Sequence, residues 1–87
     1  MTIFFAPSYA PPYKKLIKNN PRLKTTIKEK IELFISSPNH PSLRLHKLTG
    51  SPYDDWSISL TDDLRIIFSY AEDGVLFTDI GSHDEVY

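Results

Sequence analysis

The residues best suited to chemistry lie in the last third of the chain, from Trp56 to Tyr87. This segment contains one arginine, Arg65, one histidine, His83, and the terminal aromatic residue Tyr87. A guanidinium can hold a phosphate through paired hydrogen bonds, an imidazole can transfer protons near neutral pH, and an aromatic ring can stack on a base. Such a set could cleave a phosphodiester without a metal or a cofactor. We therefore expect a functional site if the three side chains face one groove.

The composition indicates one small domain that folds without covalent or metal support. The 87 residues are 40% hydrophobic and include no cysteine, which excludes thiol catalysis, Cys-ligated zinc and disulfides. The start lacks the pattern of a signal peptide, and no segment approaches the ~20 apolar residues of a membrane span. The three histidines are scattered without ligand spacing. We expect a cytoplasmic protein with a single domain, residues 1–87, no metal, no cofactor and no membrane contact.

Charge is divided unevenly between the two parts of the chain. Residues 1–50 carry nine Lys or Arg against two Glu, a net charge of +7. Residues 51–87 carry nine Asp or Glu against Arg65, a net charge of −8. The basic part could bind nucleic acid, because attraction to phosphate dominates such affinity. Two oppositely charged, solvated faces would explain the same pattern, so the charges alone leave both interpretations open.

Periodicity in the first half predicts a strand followed by two helices. The apolar run at 3–5 is typical of a strand, and a first helix is expected over about Ala10–Lys18. Asn20 is a suitable N-cap for a second helix with Pro21 at its first position. The apolar positions of this second helix recur every three or four residues, at Leu23, Ile27, Ile31, Phe34 and Ile35. The short connection implies an antiparallel helical hairpin.

After Pro41 the hydrophobic period changes to two, which is typical of antiparallel strands. The apolar face consists of Trp56, Ile58 and Leu60 in one strand and of Leu64, Ile66, Phe68 and Tyr70 in the next. A turn at 72–74 then leads into a third strand over 75–80. The sequence thus predicts an α+β fold. It comprises an N-terminal strand, an antiparallel helical hairpin and an antiparallel β-meander, with the helices packed on one face of the sheet.

The spacing of the first two meander strands predicts the direction of Arg65. If both apolar faces cover the core, the loop between them must contain an odd number of residues, and the three residues 61–63 satisfy this condition. The resulting register pairs Leu60 with Leu64 and Ser59 with Arg65. Arg65 should therefore point away from the helices.

Three stretches of the chain together resemble a known superfamily. They are SYAPPYKKLIKNNPRLKTTIKEKIELFISSPNHPSLRLHKLTG, WSISLTDDLRIIF and DIGSHDEVY. Their order and spacing resemble the RelE/ParE superfamily of bacterial toxin–antitoxin systems, and the closing GSHDEVY is most similar to the YafQ-like branch of mRNA interferases. The resemblance covers nearly the whole chain. It implies a RelE-like toxin that cleaves mRNA in the ribosomal A site, is neutralised by a cognate antitoxin, and contacts operator DNA only through that antitoxin.

The resemblance also implies roles for individual residues. His83 aligns with the C-terminal catalytic histidine of the branch, and Tyr87 with its terminal aromatic residue. Arg65 matches the phosphate-binding arginine that is common in the wider RelE group. His46 stands where the branch has a functional histidine, and it would supply a second group for proton transfer. These four residues form the predicted catalytic set.

Four further residues are implied to contact RNA. Asp63 falls at a functional aspartate of the branch, although its place in a loop also fits an ordinary turn residue. Ser59 replaces a catalytic histidine of the branch, which makes the site a mixed one. Arg44 and Lys47 would add positive charge on either side of His46, as an acidic second half requires.

Structural roles would also explain several of these residues. Arg65 could form a salt bridge with a nearby aspartate, His46 could cap a strand edge, and Tyr87 could be frayed at the chain end. Two alternative functions also stay open. One is a ParE-like toxin that acts on DNA gyrase without cleaving nucleic acid, and the other is a degenerate homologue that only binds its antitoxin. The pair His83 and Tyr87 favours the nuclease.

Overall fold

The computed structural model describes residues 1–86, so the predicted site residue Tyr87 lies outside the described residues. In chain order the elements are β1 (Thr2–Phe5), α1 (Ala10–Ile17), α2 (Pro21–Ser36), a 3₁₀ turn (Pro41–Leu43), β2 (His46–Lys47), β3 (Asp55–Ser59), β4 (Leu64–Ala71), β5 (Gly74–Ser82) and α3 (His83–Val86). No helix within residues 1–86 is long and apolar enough to cross a membrane.

The predicted helical hairpin is confirmed, including the start of its second helix. The side chain of Asn20 accepts a hydrogen bond from the amide of Leu23 at 3.1 Å, and Pro21 occupies the first helical position. The prediction that Ile35 belongs to the buried stripe is wrong, because its side chain is 42% exposed. At about 100° per residue, Phe34 lies within about 20° of Ile27 around the helix axis, whereas Ile35 lies about 80° away. Phe34 is fully buried as a result.

The five strands form one sheet in the order β1-β5-β4-β3-β2. β1 runs parallel to β5, and all other neighbouring pairs are antiparallel. The core lies between this sheet and the helical hairpin, where the rings of Phe34, Phe68 and Phe77 meet with centroids 5.2 to 6.4 Å apart. The predicted α+β architecture, with helices on one face of the sheet, is therefore confirmed.

The predicted register of β3 against β4, with residues 61–63 between Leu60 and Leu64, is also confirmed. Ser59 is paired with Arg65, and the amide of Leu60 donates to the carbonyl of Leu64 at 2.9 Å. Ile58 and Ile66 are opposite each other and belong to the core. Because neighbouring residues of a strand point to opposite faces, Arg65 points away from the helices, as the spacing predicted.

The sheet face opposite the helical hairpin is less exposed to solvent than the alternation of apolar and polar residues indicated. The alternation of serines with apolar residues in β3 indicated a half-buried strand, yet the exposed fractions of Ser57 and Ser59 are 0% and 4%. Ile67, which points the same way, is 5% exposed. The short helix α3, which the periodicity did not predict, packs against β4 and β5 on this side. Tyr70, expected in the core, is 53% exposed near the end of β4 and packs edge-on against Trp56.

Candidate active site

The sheet face opposite the helical hairpin carries three of the predicted site residues, His46, Ser59 and Arg65. His46 on β2 is paired with Ser57 on β3, and Arg65 on β4 is paired with Ser59 on one side and Gly81 on the other. Directly opposed residues of antiparallel strands point to the same face. With strands about 4.8 Å apart and about 3.4 Å per residue, the Cα atoms of His46 and Arg65 are roughly 12 Å apart.

Arg65 is oriented by main-chain carbonyl groups. Its Nη1 donates to the carbonyl oxygen of Thr61 at 3.2 Å and of Leu64 at 3.4 Å. Within residues 1–86 no carboxylate lies within ion-pair distance of this guanidinium, so the salt-bridge interpretation is not supported there. Both bonds use Nη1, and the donors on Nε and Nη2 have no protein partner among the described residues. They present a fork that suits a phosphate.

His83 is attached to the same end of the sheet. It follows Ser82, which is paired with Leu64, and its amide donates to the carbonyl of Asp63 at 3.2 Å. This bond joins α3 to the turn that carries the Arg65 contacts. Asp63 has a turn role in the structure, since its amide donates to the hydroxyl of Thr61 at 3.3 Å. Its implied role in RNA binding stays a prediction.

The helix that begins at His83 is stabilised by a reciprocal cap. The amide of Glu85 donates to the hydroxyl of Ser82 at 3.3 Å, and the amide of Ser82 donates to Oε1 of Glu85 at 3.0 Å. These bonds, first that from the Ser82 amide, lower the pKa of Glu85 below its usual value. The pattern Ser-x-x-Glu at 82–85 is the sequence signature of such a capping box, and it could have revealed this helix before the structure did.

His46 lies on the edge strand β2 and is held by the chain just before it. Its Nδ1 is 2.9 Å from the carbonyl oxygen of Arg44, and the hydroxyl of Ser57 lies 3.4 Å from Nδ1 and 3.5 Å from Nε2. The neighbouring Lys47 forms an exposed ion pair with Asp54 at 3.3 Å. An exposed pair of this kind contributes little stability, so the Lys47 ammonium can exchange this partner for another anion.

Two adjoining cavities of about 550 and 650 Å³ open on this face. They share Asp55, Ile67 and Val86 in their walls, and His46 and Lys47 line the first cavity. Among the described residues, Arg65 and His83 are outside these walls and lie nearer the β3–β4 turn. The structure thus places His46 at the rim of a cavity and brings Arg65 and His83 to one end of the same sheet. The prediction of a single groove shared with Tyr87 stays a prediction.

Two residues of this face were missed by the sequence reasoning. Ser57 belongs to a strand that was expected to be half-buried, yet it lies buried beneath the His46 ring. Gly81 is buried under α3, and a methyl group added to it would lie 3.1 Å from Cγ1 of Val86. Only the Ser-x-x-Glu pattern after Gly81 hinted that a helix would cover this position. No group of three or more His, Cys, Asp or Glu side chains within residues 1–86 is arranged to hold a metal ion.

The two-helix layer on a five-stranded mixed sheet is also the fold of several solved toxin structures, YafQ of E. coli among them. The likeness of fold that was expected from the sequence is therefore confirmed. No protein-family model matches the chain, and no curated protein matches it in sequence.

Three solved structures illustrate this likeness. A copper-bound mutant toxin from Helicobacter pylori has a TM-score of 0.82 at 19% identity, covering 100% of this chain and 99% of its own. A metal-bound toxin from the same organism has a TM-score of 0.78 at 26% identity, with the same coverage of 100% and 99%. YafQ in the DinJ–YafQ toxin–antitoxin complex of E. coli has a TM-score of 0.79 at 19% identity, covering 99% and 96%.

Proposed function

We propose that this chain is the toxin of a toxin–antitoxin pair and that it cleaves mRNA on the ribosome. The observation that carries the proposal is that Arg65 and His83 lie at one end of the sheet, while His46 lies roughly 12 Å from Arg65 on the same face, within the fold of the RelE-like toxins. Proton-transfer groups and a phosphate-binding cation are the minimum set for metal-independent RNA cleavage.

In the proposed reaction the ribose 2′-oxygen attacks the adjacent phosphorus. A 2′-O–P bond forms, the bond from phosphorus to the 5′-oxygen breaks, and the products are a cyclic phosphate and a free 5′-hydroxyl. One of the two histidines takes the proton of the 2′-hydroxyl, and the other gives a proton to the leaving 5′-oxygen. The free donors of Arg65 stabilise the charge that develops on the phosphorane oxygens. Tyr87 is proposed to stack on a base beside the scissile phosphate.

Ribosome dependence is proposed from the distribution of charge. Six exposed basic residues lie on and between the two long helices, namely Lys14, Lys15, Lys18, Arg22, Lys24 and Lys28. The sheet half of the chain is strongly acidic and repels free RNA. We infer that the basic helices bind rRNA and thereby bring the A-site codon to the other face, with Arg44 and Lys47 supplying local positive charge. The ribosome would then provide most of the affinity for mRNA.

The antitoxin is proposed to cover the helical side of the molecule as well as the active site. An apolar cavity of about 480 Å³ is walled by Phe5, Tyr9, Ala10, Tyr13, Ile27 and Ile31 and bordered by Lys24, Lys28 and Glu32. An amphipathic segment with a few acidic residues suits this cavity. Such segments are commonly disordered when free and fold on binding. Co-expression with the neighbouring reading frame should yield a stable complex and restore growth.

Cleavage is tested by inducing Arg65→Ala and His83→Ala variants and mapping mRNA ends in translating cells. Wild type should generate new ends within codons, and both variants should lose them while their thermal unfolding stays near that of wild type. Glu72→Ala serves as the control, since Glu72 is exposed in the turn between β4 and β5. DNA supercoiling is measured in the same cells. Altered supercoiling without new mRNA ends would contradict the proposal and support a gyrase-directed toxin.

A further inference from the structure

Arg44 adopts a backbone conformation that is unusual for a long side chain. Its φ and ψ angles are 47° and 45°, and Asn19 is the only other non-glycine residue with positive φ in residues 1–86. Left-handed geometry is unfavourable for a residue with a Cβ atom, and asparagine tolerates it better than arginine does. Arg44 ends the 3₁₀ turn, where its amide donates to the carbonyl of Pro41 at 3.2 Å.

The left-handed conformation directs the Arg44 carbonyl at the imidazole of His46. The oxygen lies 2.9 Å from Nδ1. A carbonyl oxygen only accepts hydrogen bonds, so Nδ1 must carry the proton of the neutral ring. The lone pair of the imidazole is then on Nε2. The main chain of Arg44 thus selects one of the two tautomers of His46.

A second contact fixes the ring from below. Ser57 is fully buried, and its hydroxyl lies 3.4 and 3.5 Å from the two ring nitrogens. Because Ser57 is paired with His46 across β2 and β3, this contact is set by the register of the sheet. The ring is therefore contacted by a carbonyl at Nδ1 and by a hydroxyl that is nearly equidistant from both nitrogens. No side-chain carboxylate takes part in either of these two contacts.

We propose that the left-handed turn at Arg44 is a positioning device for His46. Its carbonyl holds the Nδ1–H tautomer, and Ser57 supports the ring, so that Nε2 is the atom that accepts a proton. Resting on the function proposed above, this makes His46 the group that takes the 2′-hydroxyl proton, and His83 the group that protonates the 5′-oxygen. Arg44 and Ser57 are positioning residues in this scheme, and the contribution of Arg44 comes from its backbone.

A matched pair of substitutions separates the backbone of Arg44 from its charge. Arg44→Gly and Arg44→Val both remove the guanidinium, but glycine adopts positive φ readily and valine strongly disfavours it. The tautomer of His46 is read from the ¹⁵N chemical shifts of its two ring nitrogens at a pH where the ring is neutral. Wild type and Arg44→Gly should show the Nδ1–H form. In Arg44→Val the ratio of Nδ1–H to Nε2–H should fall about fivefold to tenfold, as expected for loss of one hydrogen bond.

Cleavage rates give a second measurement on the same variants. In both variants the cleavage rate should lose any contribution of the guanidinium. In Arg44→Val the rate should fall a further fivefold to tenfold, because less of His46 is in the Nδ1–H form. Ser57→Ala should broaden the His46 ring signals and lower the cleavage rate. Ser57→Thr keeps the hydroxyl, so it should retain the sharp signals and the rate of the wild type. An Nε2–H tautomer in wild type, or equal tautomer ratios in the Gly and Val variants, would overturn the proposal whether or not the variants cleave RNA. If Arg44→Val does not fold, the wild-type tautomer alone still decides. If the tautomers are as predicted but none of the proteins cleaves RNA, the proposed function is refuted. The proposal that Arg44 positions His46 would still hold.

Discussion

Gly81→Ala should shift the position of His83 and lower the rate of mRNA cleavage while changing the stability of the fold only modestly. Gly81 lies buried on β5 opposite Arg65, directly beneath α3. An added methyl group would lie 3.1 Å from Cγ1 of Val86 and 3.4 Å from Cβ of Glu85. Both contacts are with the same short helix, so α3 must move outward by a few tenths of an ångström. His83 is the first residue of that helix and would move with it.

The two effects of this substitution on stability partly cancel. Overpacking a buried site costs about 1–3 kcal/mol, whereas replacing glycine by alanine in an extended strand stabilises the fold by about 0.4–1 kcal/mol through the unfolded chain. The free energy of unfolding should therefore fall by about 0–2.6 kcal/mol. Catalysis is more sensitive, because a displacement of about 1 Å can lower a rate by about 100-fold. A shift of a few tenths of an ångström should lower the rate of mRNA cleavage roughly fivefold to tenfold.

Urea unfolding and mRNA cleavage in a reconstituted translation reaction measure the two quantities. Gly74→Ala is the control, because its methyl group would overlap the carbonyl oxygen of Thr2 and force β1 away from β5. Gly74→Ala should lower the free energy of unfolding more than Gly81→Ala does. In the Gly74→Ala molecules that remain folded, the chemical shift of the His83 amide should equal that of the wild type. A Gly81→Ala toxin with the wild-type cleavage rate and an unshifted His83 amide would refute the idea that α3 positions this histidine.

Three further outcomes are expected. Phe77→Ala should lower the free energy of unfolding by about 3–5 kcal/mol in urea titrations, because Phe77 is fully buried, and Trp56→Ala should lower it by about half as much, because Trp56 is only half-buried. The lowered pKa of Glu85 means that its cap is fully present above its usual pKa of 4.5 and is lost as the pH falls through the lower folded value. The protection factors of the α3 amides, corrected for the intrinsic exchange rate, should therefore fall in acid, and Glu85→Gln should remove this dependence. Lys24→Glu with Lys28→Glu should weaken ribosome binding and flatten its salt dependence in sedimentation assays.

The local parts of the fold could be predicted because their signals lie close together in the sequence. Asn20 and Pro21 mark a helix start within two residues, and the three-residue loop after Leu60 fixes the β3–β4 register by parity alone. The parallel pairing of β1 with β5 could not be predicted, because it joins residues about 70 positions apart and leaves no periodic signal. Ile35 was misplaced because an apolar residue at roughly helical spacing can still lie on the edge of the stripe.

The candidate site was predicted in part for the same reason. The direction of Arg65 follows from strand parity, whereas the burial of Ser57 depends on what covers the second face of the sheet. That cover comes from α3 and from the chain around β2, and neither is visible in the alternation of β3. Serine at 57 and 59 therefore indicated a half-buried strand, although both side chains are buried.

The contacts that hold the candidate site explain how it can persist while the sequence changes. His46 is held by the carbonyl of Arg44, Arg65 by the carbonyl of Thr61, and the His83 amide by the carbonyl of Asp63. Any residue supplies a carbonyl, provided that it can adopt the required backbone angles. Selection can therefore act on turn geometry, with little constraint on the side chains that surround the three groups. At position 44 the same reasoning predicts that glycine or asparagine is tolerated better than a β-branched residue, because the position needs a positive φ and not a particular side chain.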